Sequence, residues 1–338
     1  MIKRNYSTGI FVNPQRASDG FIFAPGKQLR QLLKRVKRIA NYECPVLIEG
    51  ESGTGKELIA RAVHYHSERG QHPLISVNCA TLNNDLFCSQ LFGHLKGSFT
   101  GAYSHQTGLI KAAAQGTLFL DEISSLSPSA QAQLLRFLES GEVRPVGGTS
   151  CSYPSVRIIA ATNVPLKKLC QDKLFRPDLF YRLNIYSLQT VSLREETNQI
   201  HQFAHLFLED HSKKYGWKGK RFTSEALALL TMYHWPGNVR ELKAKVLQSL
   251  INSVQETKIK PEHFELDLAV QRVLKVSLER DWNSLFNEVE SHYLIHQLQK
   301  FSGNQQRLIE VSQKSKNYLR NRLREYRINP KLFTRTTT

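Results

Sequence analysis

The sequence is short of acid. Against 46 Lys and Arg stand 29 Asp and Glu, a formal charge of +17 over 338 residues. A deficit of that size points to a polyanionic partner, nucleic acid first, and says nothing about fold. Also missing is any apolar run near the ~20 residues that a membrane-spanning helix needs. Met1-Ile2-Lys3-Arg4-Asn5 lacks the apolar core of a secretory signal, so a cytoplasmic protein is expected. Cysteine is sparse and odd in number, and none of Cys44, Cys79, Cys88, Cys151 and Cys170 forms a C-x-x-C pair. That argues against a zinc site or a disulfide frame, and the five are expected to be reduced core thiols. No internal repeat or low-complexity segment is evident. The apolar share of 41% is ordinary for a globular protein, and the length suffices for two or three domains.

What is present centres on Gly50-Glu51-Ser52-Gly53-Thr54-Gly55-Lys56-Glu57. Pro45 to Ile48 reads as a buried strand before it, and a helical pattern begins after it at Glu57. Strand, glycine-rich turn and helix start are the context in which G-x-x-x-x-G-K means a phosphate-binding loop. Glycines let successive N–H groups curl around anionic oxygens, and the helix N-terminus adds partial positive charge. Lys56 is placed to reach the β- and γ-phosphates. Glu57 stands where a Ser or Thr commonly ligates Mg²⁺, so the metal must be held from elsewhere.

Further strands are predicted at Pro73–Val77, Gly116–Ile123, Val156–Asn163 and Asn184–Leu193. Helices are predicted over Lys27–Ala40, Leu86–Leu95 and Ala130–Ser140. Apolar strands alternating with helices imply an α/β fold with a mostly parallel sheet covered by helices. Ligands then sit beyond the carboxyl ends of the strands, where Asn78, Asp121, Glu122 and Asn163 all fall. The pair Asp121-Glu122 suits one acid for Mg²⁺ and one to orient and deprotonate water. The bland alternative is a pair of acids complementing a helix dipole.

The next segment reads as a small all-helical lid, with helices over Asn198–Tyr215 and Ser224–Tyr233. A third helix follows Trp235-Pro236-Gly237, with Asn238 as its cap and Glu241 completing a capping box. The charged, poorly periodic stretch from Lys258 to Asp281 reads as a linker. After a helix over Trp282–Lys300 come two short ones, Gln305–Val311 and Ser315–Tyr326. In the last, Leu319 and Leu323 form an inward stripe, while Lys316, Asn317, Arg320, Asn321 and Arg324 point outward. Cations for phosphates with Asn and Arg for base edges are what a major-groove helix requires. Nearby Arg307, Lys314, Arg322 and Arg327 strengthen that reading.

From Phe21 to Ile328 the chain resembles the AAA+ bacterial enhancer-binding proteins, activators of sigma-54 RNA polymerase. The resemblance rests on the phosphate loop and on Leu91-Phe-Gly-His94, Gly97-Ser98-Phe99-Thr100-Gly101-Ala102 and Gly116–Ile123. Phe175–Leu183 and Trp235-Pro-Gly-Asn-Val-Arg-Glu-Leu242 complete it. Glu57 is that family's usual residue. The resemblance implies ATP and Mg²⁺, with Lys56 on the phosphates, Asp121 on the metal and Glu122 positioning water. It further implies Asn78 as switch partner of Glu122, Asn163 as sensor, Arg240 as second sensor on the lid, and Arg176 and Arg182 as arginine fingers from a neighbouring subunit. A ring, a hexamer with a dimer at rest possible, follows from fingers acting in trans. The Gly97–Ala102 loop would touch sigma-54, and the carboxy-terminal segment is similar to a Fis-type helix-turn-helix that binds upstream enhancer DNA. The expected division is a tail at 1–20, ATPase at 21–194, lid at 195–262, linker at 263–282 and DNA-binding domain at 283–338. With no regulatory domain in front, control by a separate protein, as in phage-shock-type activators, is expected. The departures are Ser98 for Ala, Gln90 and Leu95 for acids, a loose acidic pattern over Glu195–Ile200, Gln313 for a turn glycine, and Leu308 and Ile309 for alanines.

Overall fold

The computed structural model describes residues 9–11, 21–23, 26–80 and 84–266, and parts of 286–330. The tail outside 9–11, the linker beyond 266 and Gln313 lie outside the described residues. Chain contacts divide the protein into two units, residues 1–265 and 266–338.

The first unit opens with an antiparallel pair, β1 (Gly9–Phe11) and β2 (Phe21–Phe23), and helix α1 (Lys27–Ala40). Leu32, Leu33, Val36 and Ile39 make the buried face of α1. Its C-terminus is held by Arg157, whose guanidinium donates to Ile39 O at 2.8 Å and Ala40 O at 2.9 Å, a cation on the negative end of the helix dipole. Then follow β3 (Val46–Glu49), α2 (Lys56–Tyr65), β4 (Leu74–Asn78) and α3 (Asn84–Phe92). The expected helix 86–95 stops at Phe92. Gly93 there takes φ +88, and a Cβ on it would lie 2.7 Å from Gln106 O. Instead β5 (Gly93–His94) pairs with β6 (Gln106–Thr107).

Next come α4 (Leu109–Ala112), β7 (Thr117–Asp121), α5 (Pro128–Ser140), β8 (Arg157–Thr162), α6 (Leu166–Gln171), α7 (Pro177–Leu183) and β9 (Tyr186–Gln189). Five strands form one sheet in the order β4-β7-β8-β3-β9, with every pairing parallel. Side chains alternate across it, and both faces are buried. Leu47, Leu118, Leu120, Ile158 and Ala160 pack with α3, α5 and α7. Val46, Ile48, Phe119, Ile159 and Leu188 pack with α1 and α2.

The lid carries α8 (Asn198–Tyr215), β10 (Arg221–Phe222), α9 (Ser224–Met232), α10 (Asn238–Asn252) and β11 (Lys258–Ile259). It is not purely helical, because β10 and β11 pair in parallel. Residues 258–262, charged and poorly periodic yet within the expected lid, pack there, and so do residues 263–265 of the expected linker: Ile259 and Phe264 are buried. The hydrophobic content of Ile259 and Phe264 outweighed the local charge.

In the second unit α11 (Gln305–Ser312) and α12 (Lys316–Glu325) pack Leu308, Leu319 and Leu323 against Leu294 and Leu298. Ser315 caps α12, its Oγ accepting from Tyr318 N–H at 3.2 Å. Leu308 sits at the centre of this small core, so its bulk is used as packing. Of the extra bases, Arg322 is not free: it donates to Glu290 at 2.5 Å, and Tyr318 and Tyr326 donate to the same carboxylate. Arg327 lies outside the described residues. Two cysteines alone, Cys79 and Cys88, are core; Cys44 and Cys170 are half-buried and Cys151 is exposed.

Candidate functional site

The phosphate loop leaves the middle of the sheet, where β3 lies between β8 and β9. Gly50 N–H donates to Thr162 O at 3.2 Å, and Thr190 N–H donates to Glu49 O at 2.9 Å. Thr54 Oγ1 donates to Glu51 O at 2.7 Å and lies 2.7 Å from Thr190 Oγ1. Lys56, the first residue of α2, is buried, and its Nζ donates to Gly50 O at 2.8 Å and Glu51 O at 3.0 Å. Burial pushes its amine below the usual lysine value, while Asp121 and Glu122 pull the other way. Glu57 points outward and pairs with Arg61 at 2.8 Å.

Asp121 ends β7, and Glu122 follows in the left-handed region at φ +53, strain of the kind stored at functional positions. Glu122 N–H donates to Asp121 Oδ1 at 3.0 Å. Burial raises the Asp121 carboxyl above the ordinary range, with that N–H and the Lys56 charge opposing it. Asn78 ends β4 in register with Asp121, and its Oδ1 accepts from Ala80 N–H at 2.8 Å. Asn163 follows the end of β8.

Lys56, Asp121, Glu122, Asn163 and Arg240 meet on one pocket of about 540 Å³, with Ser52, Gly53, Thr54, Gly55 and Glu57 on its rim. Leu29, Leu58, Phe203, Phe207 and Val239 supply apolar walls. Gly50, Glu51 and Asn78 are not among its lining residues.

The lid closes one side through direct bonds to the loop. Arg240 N–H donates to Gly53 O at 3.3 Å, and its guanidinium donates to Ser52 Oγ at 3.3 Å. Glu51 is gripped by Arg194, one contact being 2.7 Å, and by Asn238 Nδ2 at 3.1 Å. Together these hold the Glu51 carboxyl down to about 2. Asn238 is therefore not the expected cap. The cap position is Gly237, whose N–H the Glu241 carboxylate accepts at 2.8 Å, and Asn238 is spent on the loop. Sequence reasoning also missed Thr190 and Arg194. Position after the last strand was the available signal for Thr190; Arg194 and the true contacts of Asn238 had none.

Other predicted residues are not among the described lining of this pocket. Arg176 is exposed and ion-paired with Asp178 at 2.7 Å; Arg182 is exposed and 3.9 Å from Glu139. In the Gly97–Ala102 loop, Gly97 N–H donates to Ala102 O at 2.9 Å and Ala102 N–H to Phe99 O at 3.0 Å. Phe99 stands edge-on to His94, ring centroids 5.1 Å apart, and Ser98 lies against Gly147. Thr100 is exposed, as are Lys316, Asn317, Arg320, Asn321 and Arg324 on α12.

The donor set fits a polyphosphate. Lys56 has two neutral carbonyls as hydrogen-bond partners, and among the described residues no backbone acceptor meets the N–H groups of Gly53, Thr54 and Gly55. The apolar walls fit a flat base, and Asp121 offers a hard oxygen ligand suited to Mg²⁺.

Known proteins agree in kind. The Sigma-54 interaction domain family matches residues 22–189, and the AAA+ ATPase lid domain matches residues 194–277. The Regulatory protein AtoC of Escherichia coli is 37% identical over 322 residues, 92% of this chain and 68% of that protein. The hydrogenase transcriptional regulatory protein HoxA of Cupriavidus necator is 42% identical over 69% of this chain and 48% of its own length. The Nif-specific regulatory protein of Azotobacter vinelandii is 44% identical over 68% of this chain. The chain spans about half the length of these last two relatives, 48% and 44%. Among solved structures, NtrX from Brucella abortus in complex with ATP aligns with a TM-score of 0.69 at 27% identity, covering 92% of this chain and 70% of that one. Among the described residues no helix is long and apolar enough to cross a membrane. The chain belongs to the sigma-54-dependent transcriptional activators, with an AAA+ sigma-54 interaction domain followed by an AAA+ lid.

Proposed function

We propose that the protein hydrolyses ATP and uses the turnover to convert sigma-54 RNA polymerase from the closed to the open promoter complex. The observation that carries this is one pocket in which Lys56, Asp121, Glu122, Asn163 and Arg240 converge under the lid. Lys56 and the N–H groups of the loop hold the phosphates, and Asp121 holds Mg²⁺, which screens phosphate charge. Glu122 accepts the proton of the attacking water, Asn78 sets Glu122 from the neighbouring strand, and Asn163 and Arg240 sense the γ-phosphate from sheet and lid. Arg176 and Arg182 act on a neighbouring subunit's site. Their exposure, and their absence from the lining of this chain's own pocket, support action across a subunit boundary in a ring, which we take to be a hexamer. Gly97–Ala102 is the contact with sigma-54, and the exposed bases of α12 bind upstream DNA. The active species is cytoplasmic.

Glu122→Gln tests the chemistry. Nucleotide binding should persist while ATP turnover falls by about 10²–10⁴, since an amide cannot accept the proton. Turnover within a few-fold of the unaltered protein removes Glu122 from the base role.

A further inference from the structure

Asn238 is fully buried and is the first residue of α10, at φ +51. Its Oδ1 accepts from Leu193 N–H at 2.9 Å, and its Nδ2 donates to Ser52 O at 3.0 Å and Glu51 Oε2 at 3.1 Å. One carboxamide thus ties together the lid helix, the backbone at Leu193 and the phosphate loop.

The Ser52 carbonyl and the Gly53 N–H belong to the same planar peptide. Fixing the direction of the carbonyl fixes the N–H on the opposite side. Accepting a hydrogen bond also polarises that N–H and strengthens its own bond to an anion. The next peptide is treated likewise, since Gly53 O accepts from Arg240 N–H at 3.3 Å. The two surfaces are in close contact: a Cβ on Gly53 would lie 2.1 Å from Gly237 O.

We propose that Asn238 is a positioning residue for nucleotide binding: from the lid, it holds the Ser52–Gly53 peptide with its N–H facing the phosphates. This rests on the nucleotide reading of the pocket. Asparagine meets three demands at once. It tolerates the left-handed backbone, it accepts from Leu193, and it donates twice to the loop. Aspartate keeps the first two and loses the donors, with a second carboxylate set against Glu51. Glycine keeps the backbone and loses every side-chain bond. Arrival of the lid and tight phosphate binding then become one event, because the same bonds make both.

The test compares unaltered protein with Asn238→Gly and Asn238→Asp. Fluorescent ADP binding, the KM and kcat for ATP, and the unfolding temperature without nucleotide are measured. The expected result is a tenfold or greater rise in the ADP dissociation constant and in KM for both variants, larger for Asp, with kcat reduced less than threefold. A merely structural brace would lower the unfolding temperature and leave affinity within twofold; that outcome overturns the proposal. Should Asn238→Asp fail to fold, Asn238→Gly, which relieves the left-handed strain, decides alone. If unaltered protein binds no nucleotide, the pocket reading itself falls. If it binds and both variants match it, Asn238 alone loses its role.

Discussion

His64 lies on α2 with its ring against the sheet, fully buried, Nδ1 2.9 Å from Thr117 Oγ1 on β7. Burial pushes its imidazole down to about 4 from an ordinary 6.5. The sign follows from which state binds more protons. Between those values the unfolded chain is protonated and the folded one is not, so stability falls as pH drops below 6.5 and the loss is complete below about 4. Between pH 7.5 and pH 5 the loss should be about 2 kcal/mol. Denaturant unfolding at the two pH values measures it, and His64→Gln should remove that component. An equal slope in the variant would assign the pH dependence elsewhere. Residues of this kind mark the limit of reading a sequence. The phosphate loop, Asp121-Glu122 and Asn163 were legible because spacing along the chain encodes them. Asn238 was legible as a polar residue before a helix, but not as a tie to Ser52, 186 positions earlier. No local pattern states a contact between distant segments, and the cap rule is satisfied there by Glu241 from the other direction.

At the scale of elements, period and punctuation carried most of the reading. Helix α1 runs from Lys27 to Ala40, as its apolar face predicts, and the five sheet strands end within a few residues of their expected places. The misses have local causes. Gly93 ended α3 early, and β10 with β11 is a pairing too short to have a periodicity of its own. On α12 the apolar stripe was legible, while the ties of Arg322 to Glu290 were not, since ion-pair partners on another element are invisible in one helix's pattern. This sorting makes a prediction about DNA. Lys316, Arg320 and Arg324 are exposed, so replacing all three by Ala should leave the unfolding temperature unchanged. It should flatten the dependence of log affinity on log salt by about 2.7, at ~0.9 for each phosphate no longer neutralised. Fluorescence anisotropy on a random-sequence duplex reads this without knowledge of the target site. A slope unchanged within error would mean that α12 does not lie on DNA.

At the scale of the molecule, the proposed function places two separate jobs within one unit. The pocket handles nucleotide, and the Gly97–Ala102 loop handles the partner; no residue of that loop is among the described lining of the pocket. In the form seen here Phe99 rests on His94 and Ser98 on Gly147, which holds the loop against the body of the unit. Gly97 and Gly101, at φ +80 and +104 with open space around them, leave the segment between them room to swing. Thr100 sits exposed in that segment and has no task in phosphate chemistry. The most direct measurement is therefore ATP turnover beside open-complex formation by sigma-54 polymerase, for the unaltered protein and for Thr100→Ala. Turnover and ring assembly should stay nearly intact while promoter opening is lost on fully duplex DNA. If the two activities fall together, or if neither changes, the loop is not the contact that passes the energy of hydrolysis to sigma-54.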